Sequence, residues 1–316
     1  MKILRLHLIL SLFALVLLSQ SAFGQPPQNM NGGSPSRGTG RPVTIPLTIR
    51  MPKDQEALEL QNIDLAVTED GDPQTIISIR GLTTPITLAV LIQDDLVPSV
   101  ANEIKGMAEF IRGLPKGSRV MIGYLRTGSM QVRQKFTNDL DKAAKSLRAP
   151  NGIASAGPYN PYVEVVEALR KFDSQPLGRR AILLVSDGLD ISRGVDSSAP
   201  TQSIDLQRAV NESQRRGVAI YGFYAPTSAA AGSLLLAGNA QSSLLRLSNE
   251  TGGLAFFQGT GVPVSFDPFL RELDVSLQKQ AALTFLSTHT NKGFHKIDVK
   301  SATPGVRVAF PSGYTK

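Results

Sequence analysis

The 316-residue chain contains no cysteine. Disulfides, thiolate metal sites, a cysteine nucleophile and lipid attachment through an N-terminal cysteine are therefore excluded. Histidine is nearly absent too. Of three in the chain, only His289 and His295 lie outside the first two dozen residues. Both are near the C-terminus and far in sequence from the acidic loops considered below, so no Ser-His-Asp arrangement is readable. Phosphate loops are missing as well. Thr127-Gly128-Ser129 and Gly252-Gly253 are too short, and no Gly-x-Gly-x-x-Gly follows a strand. Basic residues such as Arg148, Arg170, Arg179, Arg180 and Arg208 are scattered rather than interleaved with aromatics, which argues against a nucleic-acid partner. No internal repeat is present.

The composition that remains is ordinary for a folded protein, with 41% hydrophobic and 19% charged residues, enough for a sizeable core. Residues 1–24 read as a secretory signal. Lys2 and Arg5 make a positive start, Leu8 to Leu18 is apolar except for Ser11, and Ser21-Ala22-Phe23-Gly24 offers small residues for cleavage after Gly24, with Ala22 as the other cut. A retained anchor is the competing reading, but the run is short of the roughly 20 apolar residues that span a bilayer. Removal takes two basic and no acidic residues, lowering the net charge from +7 to +5. An exported chain without disulfides must be held by its core alone, which suits a secreted or periplasmic bacterial protein with no integral membrane segment. Residues 25–42, rich in Gly, Ser, Pro and Asn, read as a flexible linker.

Hydrophobic periodicity divides the rest into three parts: 43–82, 83–280 and 281–316. In the first, Val43 to Ile49 alternates apolar and polar residues, and Ile63 to Thr68 and Gln74 to Ile79 flank an Asp70-Gly71 hairpin signal. In the second, continuous apolar runs at Ile86–Ile92, Arg119–Leu125, Arg180–Val185 and Val218–Tyr224 read as parallel strands buried on both faces. A shorter strand is expected at Gln131–Phe136, and one more at Gly253–Phe257. Helical spacing is expected over Pro98–Leu114, Asp139–Leu147 (capped by Asn138 or Thr137), Tyr162–Phe172, Ser203–Arg216, Gln241–Asn249 and Asp267–Gln278. Pro226 to Asn239 reads as a long loop that tucks Leu234 to Leu236 onto the core or offers them to a partner. Period 2 returns at Ala281–Ser287, Lys296–Lys300 and Val306–Phe310. The expected fold is α/β, a doubly wound and mostly parallel sheet, with a small antiparallel β subdomain built from the two flanks.

Ligands of such sheets bind beyond the carboxyl ends of the strands. Two acidic loops stand there: Gln93-Asp94-Asp95-Leu96-Val97-Pro98-Ser99 and Ser186-Asp187-Gly188-Leu189-Asp190. Carboxylates and a hydroxyl meeting at one point suit a hard cation such as Mg²⁺ or Mn²⁺. The same Asp94, Asp95 and Ser99 equally suit capping of the following helix, and Asp187-Gly188 suits a plain turn.

The core strand order, the acidic end of the first core strand and the later Ser-Asp-Gly resemble a von Willebrand factor A domain. Leu247-Ser248-Asn249-Glu250-Thr251-Gly252-Gly253, Phe294-His295-Lys296-Ile297-Asp298-Val299, Pro304-Gly305-Val306-Arg307-Val308 and Gly313-Tyr314 are similar to the exported members found in acidobacteria, and the likeness spans roughly residues 43 to 314. Such domains hold a divalent ion through an Asp-x-Ser-x-Ser loop, a distant Thr and a distant Asp. The best register here, Asp95 to Ser99, keeps the first Asp and the last Ser but places Val97 where a hydroxyl belongs. Starting at Gln93 or Asp94 loses two positions. No Thr occurs near Ala156 to Asn160, where Tyr159 or Asn160 could stand in, and Asp187 matches the distant Asp. The resemblance thus implies a weak or absent ion on Asp95, Ser99 and Asp187, with Asp94 and Asn160 as alternates. It implies a non-enzymatic module that binds a protein partner over Asp94, Asp95, Tyr159, Asn160 and Asp190. The rival is a metal-assisted hydrolase using the same loops to activate water, which lacks a histidine base.

Overall fold

The computed structural model describes residues 40–51, 59–82, 84–153, 157–228, 230–261, 263 and 265–316; the expected signal segment and most of the linker lie outside them. The first flank supplies β1 (Arg41–Arg50), β2 (Leu65–Glu69) and β3 (Asp72–Gly81). Next come β4 (Thr87–Gln93), α1 (Ile104–Gly113), β5 (Arg119–Arg126), β6 (Ser129–Thr137), α2 (Leu140–Lys145) and α3 (Pro161–Lys171). The chain continues with β7 (Arg180–Ser186), α4 (Ile204–Arg216), β8 (Ala219–Tyr224), α5 (Leu234–Glu250), β9 (Ala255–Phe256) and α6 (Asp267–Gln278). The last flank holds β10 (Gln280–Ser287), β11 (Phe294–Ser301), β12 (Arg307–Ala309) and β13 (Gly313–Thr315). Among the described residues, no helix is long and apolar enough to cross a membrane.

The unbroken apolar runs form the centre of a six-stranded sheet ordered β6-β5-β4-β7-β8-β9. Every residue of β4, β7 and β8 is buried, as expected of parallel strands covered on both sides. Side chains alternate between two cores. Leu88, Val90 and Ile92 point to one with Met107, Ile111 and Leu273, while Ala89 and Leu91 point to the other with Tyr162, Leu169, Val210 and Leu244. The sheet is parallel except at one edge, where β6 folds back antiparallel on β5.

The two flanks meet in a second sheet, ordered β12-β1-β10-β3-β2-β11-β13 and antiparallel throughout. Asp70 and Gly71 turn β2 into β3 with φ of 52° and 96°, the pair of positive values that a tight two-residue hairpin requires. Ile45, Leu47, Ile49, Val67, Leu283, Phe285, Ile297 and Val299 form its core. The expected small subdomain is instead a seven-stranded sheet, and both sheets belong to one compact unit, Thr39–Lys316. Arg179 helps join them. Its guanidinium donates to Gln280 Oε1 at 2.9 Å, to Leu277 O and to Thr84 O, while Gln280 Nε2 donates to Tyr221 Oη at 2.9 Å.

Four local expectations are corrected. The helix expected from Gln241 begins at Leu234, because the Ser233 hydroxyl accepts from Leu236 N–H and starts the first turn. Leu234 and Leu235 are exposed rather than tucked onto the core. Asp139 itself caps α2, accepting from Lys142 N–H at 2.9 Å. Pro98 opens a 3₁₀ segment, Pro98–Glu103, before α1 begins.

Candidate functional site

The ends of β4, β7 and β8 lie side by side, since Ile92 pairs with Val185 and Ser186 with Tyr224. Gln93 is the last residue of β4 and fully enclosed. Its carboxamide bridges the two acidic loops. Oε1 accepts from Ser186 Oγ at 2.6 Å and from Asp187 N–H at 3.2 Å, and Nε2 donates to Asp95 Oδ1 at 2.9 Å. That network sets which amide atom points where.

Asp95 and Asp187 face an open cavity of about 390 Å³, together with Gly157, Tyr159 and Thr227. Burial, opposed by the Gln93 hydrogen bond and reinforced by the charge of Asp94, holds the Asp95 carboxyl above the ordinary aspartate value. Asp187 is more deeply enclosed. Burial and then the charge of Asp95 outweigh hydrogen bonds from Leu189 N–H and the Gln93 and Thr227 side chains, pushing Asp187 up to about 7. Two carboxylates in one cavity thus share a deficit of positive charge.

The remaining expected site residues sit elsewhere. Asp94, beside Asp95 in sequence, turns away and is fully buried against Arg148 at 2.6 and 3.0 Å, Arg126 Nε at 3.3 Å and the Asn151 N–H groups at 3.1 and 2.8 Å. It is neither an alternate ligand nor part of a binding face, because two guanidiniums already complete it. Ser99 is exposed in the 3₁₀ turn and does not line the cavity. Asn160 caps α3, accepting from Tyr162 N–H at 3.0 Å and donating to Asp205 at 2.7 Å. Asp190 is buried and ties its loop, accepting from Ser192 Oγ and Ser203 Oγ, both at 2.6 Å. Tyr159 alone of the expected partner-facing residues is well exposed, at 64%. Val97 leans on the core beneath α1, and as N-cap of the 3₁₀ segment it makes no side-chain capping bond. Helix capping is therefore not what the acidic loop does.

Sequence reasoning missed Gln93, Gly157 and Thr227. The apolar run ends at Ile92, which made the strand look one residue shorter than it is. Thr227 was findable, since it follows β8, and ligands of such sheets bind beyond the ends of all the central strands.

As for a metal, the donor set is two carboxylates and one hydroxyl, all oxygen, around a space open to water. These residues fit a hard divalent cation that keeps several waters, and the absent Cβ of Gly157 leaves room beside Asp95.

No family model matches the sequence, and no curated protein matches it. Among solved structures, an aerotolerance-related membrane protein from Bacteroides fragilis is 13% identical with a TM-score of 0.42, covering 62% of this chain and 100% of its own. BatB from Bacteroides thetaiotaomicron is 13% identical with a TM-score of 0.40, covering 62% and 98%. A von Willebrand factor type A protein from Catenulispora acidiphila is 12% identical with a TM-score of 0.42, covering 80% and 72%.

Proposed function

We propose that this chain is an exported, non-enzymatic protein-binding module of the von Willebrand factor A type, whose partner docks over the Asp95–Asp187 cavity. The observation that carries this reading is the convergence of Asp95, Asp187 and Thr227 on one floor at the strand ends, under an apolar rim of Tyr159, Ile191, Val195 and Leu236. An acidic floor under an apolar, partly exposed rim suits a partner that inserts one polar group and covers the surround with apolar surface. Asp95, Asp187 and Thr227 would hold Mg²⁺ or Mn²⁺ weakly, and the ion would offer its remaining positions to an acidic group of the partner. The hydrolase alternative draws on Asp187, a carboxyl whose affinity for protons suits a general base. Its weakness is that the cavity wall adds only Asp95 and the hydroxyls of Tyr159 and Thr227, with no histidine or lysine among the described residues lining it.

Capture from a bacterial envelope extract tests the reading. Wild type should retain a partner that Asp187→Ala and Leu236→Asp each lose, with both variants still folded by circular dichroism. Retention of the same partner by both variants overturns the docking face. Export is checked by intact mass: the secreted chain should begin at Gln25.

A further inference from the structure

Outside the cavity, both histidines beyond the N-terminal segment meet at the second sheet, His289 from the β10–β11 connection and His295 from β11 itself. We infer that Asp70, His289 and His295 form a site for one divalent cation of the zinc class. The three residues bring one ligating atom each to within 4.8 Å of the others. His295 Nδ1 lies 2.8 Å and His289 Nδ1 3.8 Å from the same oxygen, Asp70 Oδ2. Ligands about 2.0–2.1 Å from a tetrahedral zinc stand roughly 3.3 Å apart, so these spacings suit a single ion after small shifts.

Each group is aimed by its surroundings. Asp70 Oδ1 accepts from Lys296 N–H at 2.8 Å, which leaves Oδ2 turned to the imidazoles. His295 Nε2 faces the Asn291 carbonyl at 2.9 Å, and a carbonyl only accepts, so Nε2 carries the proton. With Nε2 as donor, Nδ1 meets the Asp70 carboxylate at 2.8 Å, a contact that either a second ring proton or a cation in its place satisfies. A backbone carbonyl behind the far ring nitrogen is the usual support of a metal-bound histidine. His289 shares the approach to Asp70 but not the carbonyl support. Its Nδ1 faces Asp70, while its Nε2 is buried without a hydrogen bond, 3.3 Å from Asp72 Oδ2. The charge around the rings is negative. Fully buried Glu69 puts Oε1 3.6 Å from His295 Nδ1 and leaves Oε2 without a hydrogen bond, and Lys316, 3.8 Å from Glu69, opposes it with a single ammonium. Two imidazoles and a carboxylate select zinc, copper or nickel over magnesium. Asp72 is largely exposed, which leaves a way in. The ion would staple the β2–β3 turn to the β10–β11 connection, closing a long loop of chain.

Calorimetric titration of the untagged, intact chain with ZnCl₂ tests this, with Co²⁺ absorption reporting geometry. Wild type and Asp187→Ala should each bind one equivalent of zinc and melt at higher temperature with it. His289→Ala and Asp70→Asn, the latter chosen because Asn tolerates the positive φ, should bind at least about tenfold more weakly while remaining folded. Zinc binding that is absent in wild type, or equal in wild type and His289→Ala, overturns the site. Parallel titration with MgCl₂ keeps the two readings apart, because any magnesium response should depend on Asp187 and not on His289.

Discussion

Gly157 lies so close over Asp95 that a Cβ at position 157 would fall 1.9 Å from Asp95 Cγ and 2.1 Å from each of its carboxylate oxygens. The Gly157 carbonyl is itself held by the Thr127 hydroxyl at 2.6 Å, so the backbone cannot simply step aside. Gly157→Ala should therefore displace the Asp95 carboxylate, cost about 1–3 kcal/mol and reduce any stabilisation by Mg²⁺. Thermal melts with and without the ion read both effects. An alanine variant with wild-type stability and an undiminished ion response would show that Asp95 contributes nothing there.

Asp187 makes the metal-free protein pH-sensitive. Burial and then the charge of Asp95 raise its carboxyl from 3.8 to about 7, so between about pH 4 and 7 the folded state binds a proton that the unfolded chain does not. Stability must fall as pH rises through that window, by on the order of a few kcal/mol at most. Asp187→Asn removes that slope and should be more stable than wild type at pH 8 without divalent ions. Glu164, also pushed to about 7 by burial and then by Glu167, contributes its own slope, so the difference between wild type and variant is the informative quantity. Urea denaturation at pH 5 and pH 8 measures it, and a difference that does not grow with pH counts against the burial of a shared charge.

Arg148 is expected to matter to folding rather than to partner binding. It pairs with Asp94, whose side chain is wholly enclosed, and stacks over the Tyr124 ring at 3.9 Å. Removing one partner of a buried pair strands the other charge, so Arg148→Ala should destabilise by about 3–5 kcal/mol, reduced by whatever Arg126 compensates. Asp94→Asn with Arg148→Ala together should cost less than the sum of the single changes. Strict additivity in denaturation experiments would argue that the pair is not coupled.

Deleting Lys292 to Lys316 removes β11, β12 and β13. β11 is the outer partner of β2, from Leu65 to Glu69, and β12 pairs with Thr48 to Arg50 of β1. Amide hydrogen exchange in Arg41–Arg50 and Leu65–Glu69 should quicken by orders of magnitude while Thr87–Gln93 and Arg180–Ser186 stay protected. Unchanged protection in the first flank would mean that its strands hold without the last one.

The central strands were legible because a strand covered on both faces has no reason to alternate, and its unbroken apolar run stands out. Asp95 and Asp187 were legible for a related reason, since each follows such a run. Asp94 was not. Adjacent carboxylates look alike in sequence, and what separates them is Arg148 and Asn151, 54 and 57 residues away. The start of α5 was hidden as well, since leucines 234 and 235 are exposed and leave no apolar stripe to read. The breadth of the second sheet followed from pairing between chain ends, which periodicity within either end cannot report.

Both neighbours of β1 are synthesised at the far end of the chain: Thr44 meets Thr284, 240 residues later. At about 5–20 residues per second, a nascent β1 waits on the order of ten seconds or more for its first partner. Throughout that time it shows unpaired amides and the apolar row of Val43, Ile45, Leu47 and Ile49, a template for another copy of the same strand. Pro42 and Pro46 remove two of those donors, and Arg41 and Arg50 put a positive charge at each end. The strand thus carries its own guards against aggregation for the interval in which the sheet it belongs to does not yet exist.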